Sequence, residues 1–260
     1  MPTLALKDTM DNLHDTALQA LKVMDLTRLI ESDTPDNIIA LCQDTHTAYG
    51  DTAAICIYPF FIPIAKRQLR LQNTPNIKIV TVVNFPAGDS DIEHVINEIN
   101  HAIKHGADEI DVVFPYKALL AGDEQSGVDL ISQCKEACGD KLLKVIIESG
   151  ELKSKDLITK ATCIAINAGA NMIKTSTGKV PINSTLEAAE VILTTIKEMS
   201  VEKQVGFKAS GGITTVVEAQ KYFDLAKRIN NTVPCNKRFF RIGASSLLTD
   251  ITQTIKRAKH

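Results

Sequence analysis

The sequence predicts an α/β fold, a (β/α)8 TIM barrel with an extra N-terminal helix. Three observations predict it. Strand-like apolar runs alternate with helical patterns eight times within 260 residues. The runs are continuously apolar, as strands buried on both faces are, and do not alternate with polar residues. No Pro/Gly/Ser-rich linker or low-complexity tract divides the chain, so residues 1–260 are expected to form a single barrel domain. A doubly wound open sheet is the competing arrangement. It calls for a glycine-rich dinucleotide turn after the first strand, and none stands there.

The elements follow in order. Leu13, Ala17, Leu18 and Leu21 have helical spacing and mark a helix over 10–23 outside the repeating body. Val23 to Thr27 is the first strand, with Asp25 inside it. Thr34-Pro35 starts a helix expected to reach Tyr49, with Gly50 ending it. Thr52 to Tyr58 is the second strand, followed by a helix over 62–71. Ile77 to Val83 is β-branched and forms the third strand. Asp89-Ser-Asp91 caps a helix that stops at Gly106. Glu109 to Phe114 is the fourth strand; helix follows over 116–138, interrupted near Gly122 and Gly127. Leu142 to Ile147 is the fifth strand and precedes a helix over 153–168. Asn171 to Lys174 is the sixth strand. Ser184-Thr-Leu-Glu187 and Thr215-Val-Val-Glu218 read as capping boxes for the next two helices, on either side of a seventh strand over 204–208. Residues 230–237 are a polar loop, 238–242 the eighth strand, and a last helix ends near Lys256.

The bulk properties exclude several classes. With 29 Lys+Arg against 31 Asp+Glu, the net charge of −2 gives nucleic acid or an anionic membrane nothing to grip. No apolar run is long enough to span a bilayer, and no secretory leader is recognisable. Cys42, Cys56, Cys134, Cys138, Cys163 and Cys235 form no CxxC pair, which fits free thiols in a reducing cytoplasm. Cys56 lies inside an apolar strand, as core or lining the barrel. His101 and His105 are four apart on a helix, but no third metal ligand lies at motif spacing, so no metal site is expected.

The chemistry concentrates in two stretches. NMIKTSTGK (171–179) is a short apolar strand that ends in Lys174 and breaks into a polar turn; VGFKASGG (205–212) repeats the pattern at Lys208. Burial disfavours the charged form of a lysine, and a lysine with a lowered pKa can form a Schiff base with a carbonyl. The plain alternative is that such lysines point into water. In a barrel, catalytic groups sit at the C-terminal ends of the strands. Asp25, Asp111, Lys144, Glu148, Lys174 and Lys208 are the candidates there. A Lys208 ammonium beside Lys174 would free the Lys174 amine, and Asp111 could relay protons. Asp25 and Asp111 serve equally as buried ion-pair partners, and the two roles are compatible. Thr175-Ser-Thr-Gly178, Ser210-Gly-Gly212 and Gly243-Ala-Ser-Ser246 follow the last three strands, where barrels bind phosphate.

Seven motifs, in order along nearly the whole chain, resemble deoxyribose-phosphate aldolases of the enteric-bacterial type. They are MDLT (24–27), DTAAICIYP (51–59), GADEIDVVFPY (106–116), LLKVIIESGEL (142–152), IKTSTGK (173–179), GFKASGGI (206–213) and RIGASSLL (241–248). The resemblance implies a class I aldolase that reversibly cleaves 2-deoxy-D-ribose 5-phosphate to acetaldehyde and D-glyceraldehyde 3-phosphate in deoxyribonucleoside catabolism. It implies Lys174 as the Schiff-base lysine, Lys208 as the group that lowers its pKa, and Asp111 as the proton relay. Phosphate contacts fall on Gly178, Lys179, Gly211, Gly212, Ser245 and Ser246, with Asp25 and Thr177 in support. No metal or organic cofactor is implied, and the family is commonly dimeric. Two departures stand out. Thr214 occupies a place where that branch often has a basic residue, which implies a weaker phosphate grip with Ser210 as an added donor. The branch tends to end in a tail with a terminal tyrosine, whereas this chain ends Arg257-Ala-Lys-His260. Either water and Asp111 handle the enamine proton, or turnover is reduced. Another lysine-imine sugar-phosphate lyase or transaldolase, or a non-catalytic sugar-phosphate-binding barrel, remains the alternative.

Overall fold

A computed structural model describes residues 4–230 and 235–258, with side chains from residue 12 onward. Part of the expected 230–237 loop and the last two residues of the tail lie outside the described residues. Eight parallel strands close into a barrel: Met24–Thr27, Ala54–Ile57, Lys78–Val83, Glu109–Val113, Leu142–Ile146, Met172–Lys174, Gly206–Ser210 and Phe240–Ala244. Closure is made where the first strand pairs with the eighth, Asp25 opposite Gly243, and with the second, Asp25 opposite Ala54. The open-sheet alternative is thereby excluded.

Helices ring the barrel because each carries one apolar stripe and a local stop signal. Thr34 caps Pro35–Asp44 through a capping box with Asn37. Asp91 accepts from the His94 amide at the start of Ile92–His105, and Gly106 ends that helix in the left-handed region. Thr215 and Glu218 form the expected capping box of Val216–Ile229. The N-terminal helix Leu4–Val23 joins the outer ring by packing on Val216–Ile229 and Leu247–Arg257. No described helix is long and apolar enough to cross a membrane.

Three local expectations are corrected. The second helix stops at Asp44, not Tyr49, because the chain turns into a small antiparallel ladder, His46–Thr47 against Gly50–Asp51. Gly127 does not interrupt its helix; it lies within Gln125–Cys138, where the missing side chain admits the Phe114 ring. Ser184 opens no capping box. The helix starts one residue later, with the Thr185 hydroxyl accepting from the Ala188 amide, which leaves Glu187 a residue too early to reach back.

The barrel interior is divided in two. Ala54, Cys56, Val80 and Val82, from the second and third strands, pack with Leu29 into a small apolar cluster separate from the main core. The remaining strands send charged side chains inward. That division places the charged groups on one side of the barrel, across from an apolar wall.

Candidate active site

Parallel strands give each interior position a fixed neighbour. The pairing register sets Asp111 beside Lys144, Lys174 beside Lys208, and Lys208 beside Arg241. From this register comes a buried cluster of seven ionisable groups, each no more than 5 % exposed: Asp25, Glu109, Asp111, Lys144, Lys174, Lys208 and Arg241. Asp111 is its hub. Lys144 Nζ donates to Asp111 Oδ1 at 2.8 Å, while Lys174 Nζ and Lys208 Nζ both donate to Oδ2 at 2.9 Å. Lys208 also donates to Asp25 Oδ2. Lys144 reaches Glu109 Oε2 at 2.7 Å. Arg241 closes the ring, one guanidinium nitrogen on Asp25 Oδ1 and the other on Glu109 Oε1 at 2.8 Å.

The sequence placed the charged candidates at strand ends. The structure puts Asp25, Asp111, Lys144 and Lys208 inside their strands, with Lys174 at the last residue of its own. All seven groups are therefore enclosed, and Lys174 is the one cluster lysine that ends its strand.

The electrostatics separate the lysines. Burial lowers the pKa of Lys174, and the Lys208 ammonium adds to that, against the opposing pull of Asp111. Burial works in the same direction on Lys208 and Lys144. For both, however, the carboxylates win: Asp111 and Asp25 raise Lys208, while Asp111 and Glu109 raise Lys144. Asp111 is held well below the usual carboxylate range, because Lys144, Lys174 and Lys208 outweigh its own burial. The cluster thus contains one amine inclined to lose its proton and one carboxylate firmly ionised beside it. Cys56 faces the same lysines from the apolar wall as a neutral thiol, its pKa pushed up by burial.

At the C-terminal side of the barrel, beyond the strands that carry the cluster, lies an open cavity of about 520 Å³; the seven cluster residues are not among those that line it. Gly178, Lys179, Gly211, Gly212, Ser245 and Ser246 all line it. Thr177 and Ser210 line it too, from beside those glycines. The structure therefore gathers the three separate Gly/Ser segments of the sequence into one wall. Ser246 caps Leu247–Arg257 without a side-chain capping bond. Helix N-termini of this kind attract anions.

Local bonds hold that wall in place. The Thr177 amide donates to both carboxylate oxygens of Glu148, at 3.2 and 3.3 Å, and the Lys179 amide donates to Thr177 Oγ1 at 3.0 Å. Lys179 Nζ crosses to the Leu29 carbonyl at 2.6 Å, tying the sixth-strand loop to the first. Thr214 is occupied elsewhere: its amide and hydroxyl both donate to Glu218 Oε2. His101 and His105 stack on each other at 4.1 Å, and His105 Nδ1 lies 2.8 Å from the His101 carbonyl. Among the described residues no group of three metal-ligating side chains is assembled.

Sequence reasoning missed Glu109 and Arg241, and noted Lys144 without giving it a part. The usable signal was spacing for Glu109, two residues before Asp111, and for Arg241 a charge inside an apolar run, after paired phenylalanines. Residues two apart on a strand share a face.

Gly243 shows how closely the cluster is fitted. A Cβ there would lie 3.0 Å from both Lys208 Cε and Ser210 Oγ. Gly243→Ala is expected to push Lys208 off Asp111, destabilise the fold by about 1–3 kcal/mol and lower kcat more than it raises KM. Thermal unfolding and steady-state kinetics check this together.

The relatives agree with this architecture. The chain matches the family model described as DeoC/LacD family aldolase over residues 19–252. An aldolase designated QR15 superposes with a TM-score of 0.77 at 26% identity, covering 92% of this chain and 96% of that one. A Toxoplasma gondii protein designated a candidate deoxyribose-phosphate aldolase reaches a TM-score of 0.89 at 23% identity, over 95% and 97% of the two chains. The tetrameric deoxyribose phosphate aldolase of Aeropyrum pernix gives 0.73 at 22% identity, over 98% and 99%. At those identities the last two likenesses speak for the fold. The family match spans most of the chain, and by it this protein belongs to the DeoC/LacD family of aldolases.

Proposed function

We propose that the protein is a class I, Schiff-base aldolase that reversibly cleaves 2-deoxy-D-ribose 5-phosphate into acetaldehyde and D-glyceraldehyde 3-phosphate. The observation that carries the reading is Lys174, the one lysine of the cluster whose pKa is lowered and the one that ends its strand, three residues before Thr177 on the Gly/Ser-lined cavity wall.

In this reading the neutral Lys174 amine attacks the C1 aldehyde of the open-chain sugar, and loss of water from the carbinolamine gives the iminium. Asp111 shares its Oδ2 between Lys174 and Lys208. Being ionised, it accepts the proton that Lys174 sheds, while Lys208 holds a proton next to it. The C3 hydroxyl loses its proton, the C2–C3 bond breaks, and its electron pair moves into the iminium. Glyceraldehyde 3-phosphate leaves, and the enamine on Lys174 is protonated at C2. Hydrolysis of the resulting iminium releases acetaldehyde and restores the amine. The phosphate rests among Gly178, Lys179, Gly211, Gly212, Ser245 and Ser246, where backbone amides can approach it.

Substrate profiling tests the reading. Acetaldehyde release from 2-deoxyribose 5-phosphate should exceed that from other sugar phosphates by more than about 10²-fold in kcat/KM, beyond what an apolar pocket alone discriminates. A preference for another sugar phosphate would move the protein to a different lysine-imine lyase or transaldolase. A related expectation concerns Thr214. Thr214→Lys keeps the amide bond to Glu218 and adds a cation near the cavity. KM for the phosphorylated sugar should fall several-fold, as an exposed ion pair gives, and KM for unphosphorylated 2-deoxyribose should not change.

A further inference from the structure

We infer that Arg241 and Glu109, at the floor of the barrel and away from the cavity, are positioning residues that set the proton affinity of Lys174 through the charge count of the buried cluster. This rests on Lys174 as the imine-forming amine. The cluster holds four cations, Lys144, Lys174, Lys208 and Arg241, against three carboxylates, Asp25, Glu109 and Asp111. Each group is buried, so no counter-ion from solvent balances the excess. One cation is therefore surplus, and Arg241 cannot give up its proton.

Contacts decide which lysine yields. Lys144 contacts Glu109 and Asp111 and lies 3.9 Å from Asp25; Lys208 contacts Asp25 and Asp111. Lys174 has one carboxylate contact, on an oxygen it shares with Lys208. It is the least compensated of the three, and it is the one whose pKa falls. The other groups facing it are accounted for. Cys56 stays a neutral thiol on the second strand. Glu148, after the fifth strand, feels the Lys174 charge without contacting it: its carboxylate accepts from the Thr177 amide, and burial, the largest influence on it, raises its pKa.

The prediction is one of sign. Arg241→Met removes a cation and balances the cluster with Lys174 protonated. The acidic limb of the pH profile of kcat/KM should move up by about one pH unit. Glu109→Gln, nearly isosteric, removes a carboxylate and should move that limb down by a similar amount. The double variant should return it to the wild-type position, and Arg241→Lys should leave it there. A residue that merely supports packing would lower kcat in both single variants without opposite displacements. Limbs that move the same way, or do not move, overturn the inference. If Arg241→Met does not fold, Glu109→Gln decides alone: a lowered limb upholds the charge count, and an unmoved or raised one overturns it. Reductive methylation of Lys174 with formaldehyde and cyanoborohydride, mapped by peptide mass, reads the same amine without turnover. Opposite shifts there, with no imine formed from 2-deoxyribose 5-phosphate, would sink the reaction assignment and leave the charge count standing.

Discussion

Lys174→Met is expected to abolish turnover while leaving the barrel folded. Without the amine no imine forms, and the electron sink for breaking C2–C3 is gone. The loss in kcat/KM should be about 10⁴-fold or more, as for nucleophiles on which the whole sequence of steps depends. The effect on stability should run the other way. Removing Lys174 leaves three cations against three carboxylates, and Asp111 keeps Lys144 and Lys208 as partners. Exchanging a buried, incompletely paired lysine for an apolar side chain of similar length is often neutral or stabilising. A folded variant with an unchanged or raised Tm and no activity would therefore separate catalysis from architecture at one position. A variant that unfolds would show that Lys174 serves the fold instead.

Asp111→Asn should damage both. Three lysine nitrogens converge on this carboxylate, and its charge is what lets Lys144 and Lys208 remain protonated while fully buried. Breaking a buried pair from one side costs about 3–5 kcal/mol, or a Tm lower by about 10 °C in a chain of this size. Activity should fall by about 10²–10⁴-fold, the usual contribution of a positioned acid or base. Loss of stability with full activity per folded molecule would confine Asp111 to the ion-pair role that the sequence left open beside the catalytic one. Differential calorimetry and kinetics on the same preparation distinguish these outcomes.

Much of this arrangement could be read from the chain before folding it. Lys174 and Lys208 betray themselves because a lysine inside an apolar strand is costly without a partner. The three Gly/Ser segments fall after the last three strands, and the barrel rule says where those ends converge. Arg241 and Glu109 were less legible. Glu109 opens its strand, where a charged residue ordinarily points to water; barrel closure turns that position onto the floor. The path from Arg241 to Asp25 and Glu109 spans 216 and 132 residues of sequence, a separation that no local pattern encodes. The ladder after Asp44 was hidden for a simpler reason. Helical periodicity carries on through Thr45 and His46, and the two-residue pairing of His46–Thr47 with Gly50–Asp51 is too short to leave an alternating signature.

The most direct test of the account is borohydride trapping with 2-deoxyribose 5-phosphate, followed by peptide mass mapping. The account predicts a single reduced adduct on Lys174, absent from Lys174→Met. An adduct on Lys208 would reverse the roles of the two lysines within the same reaction class. An active, folded protein that forms no adduct would contradict the Schiff-base mechanism itself.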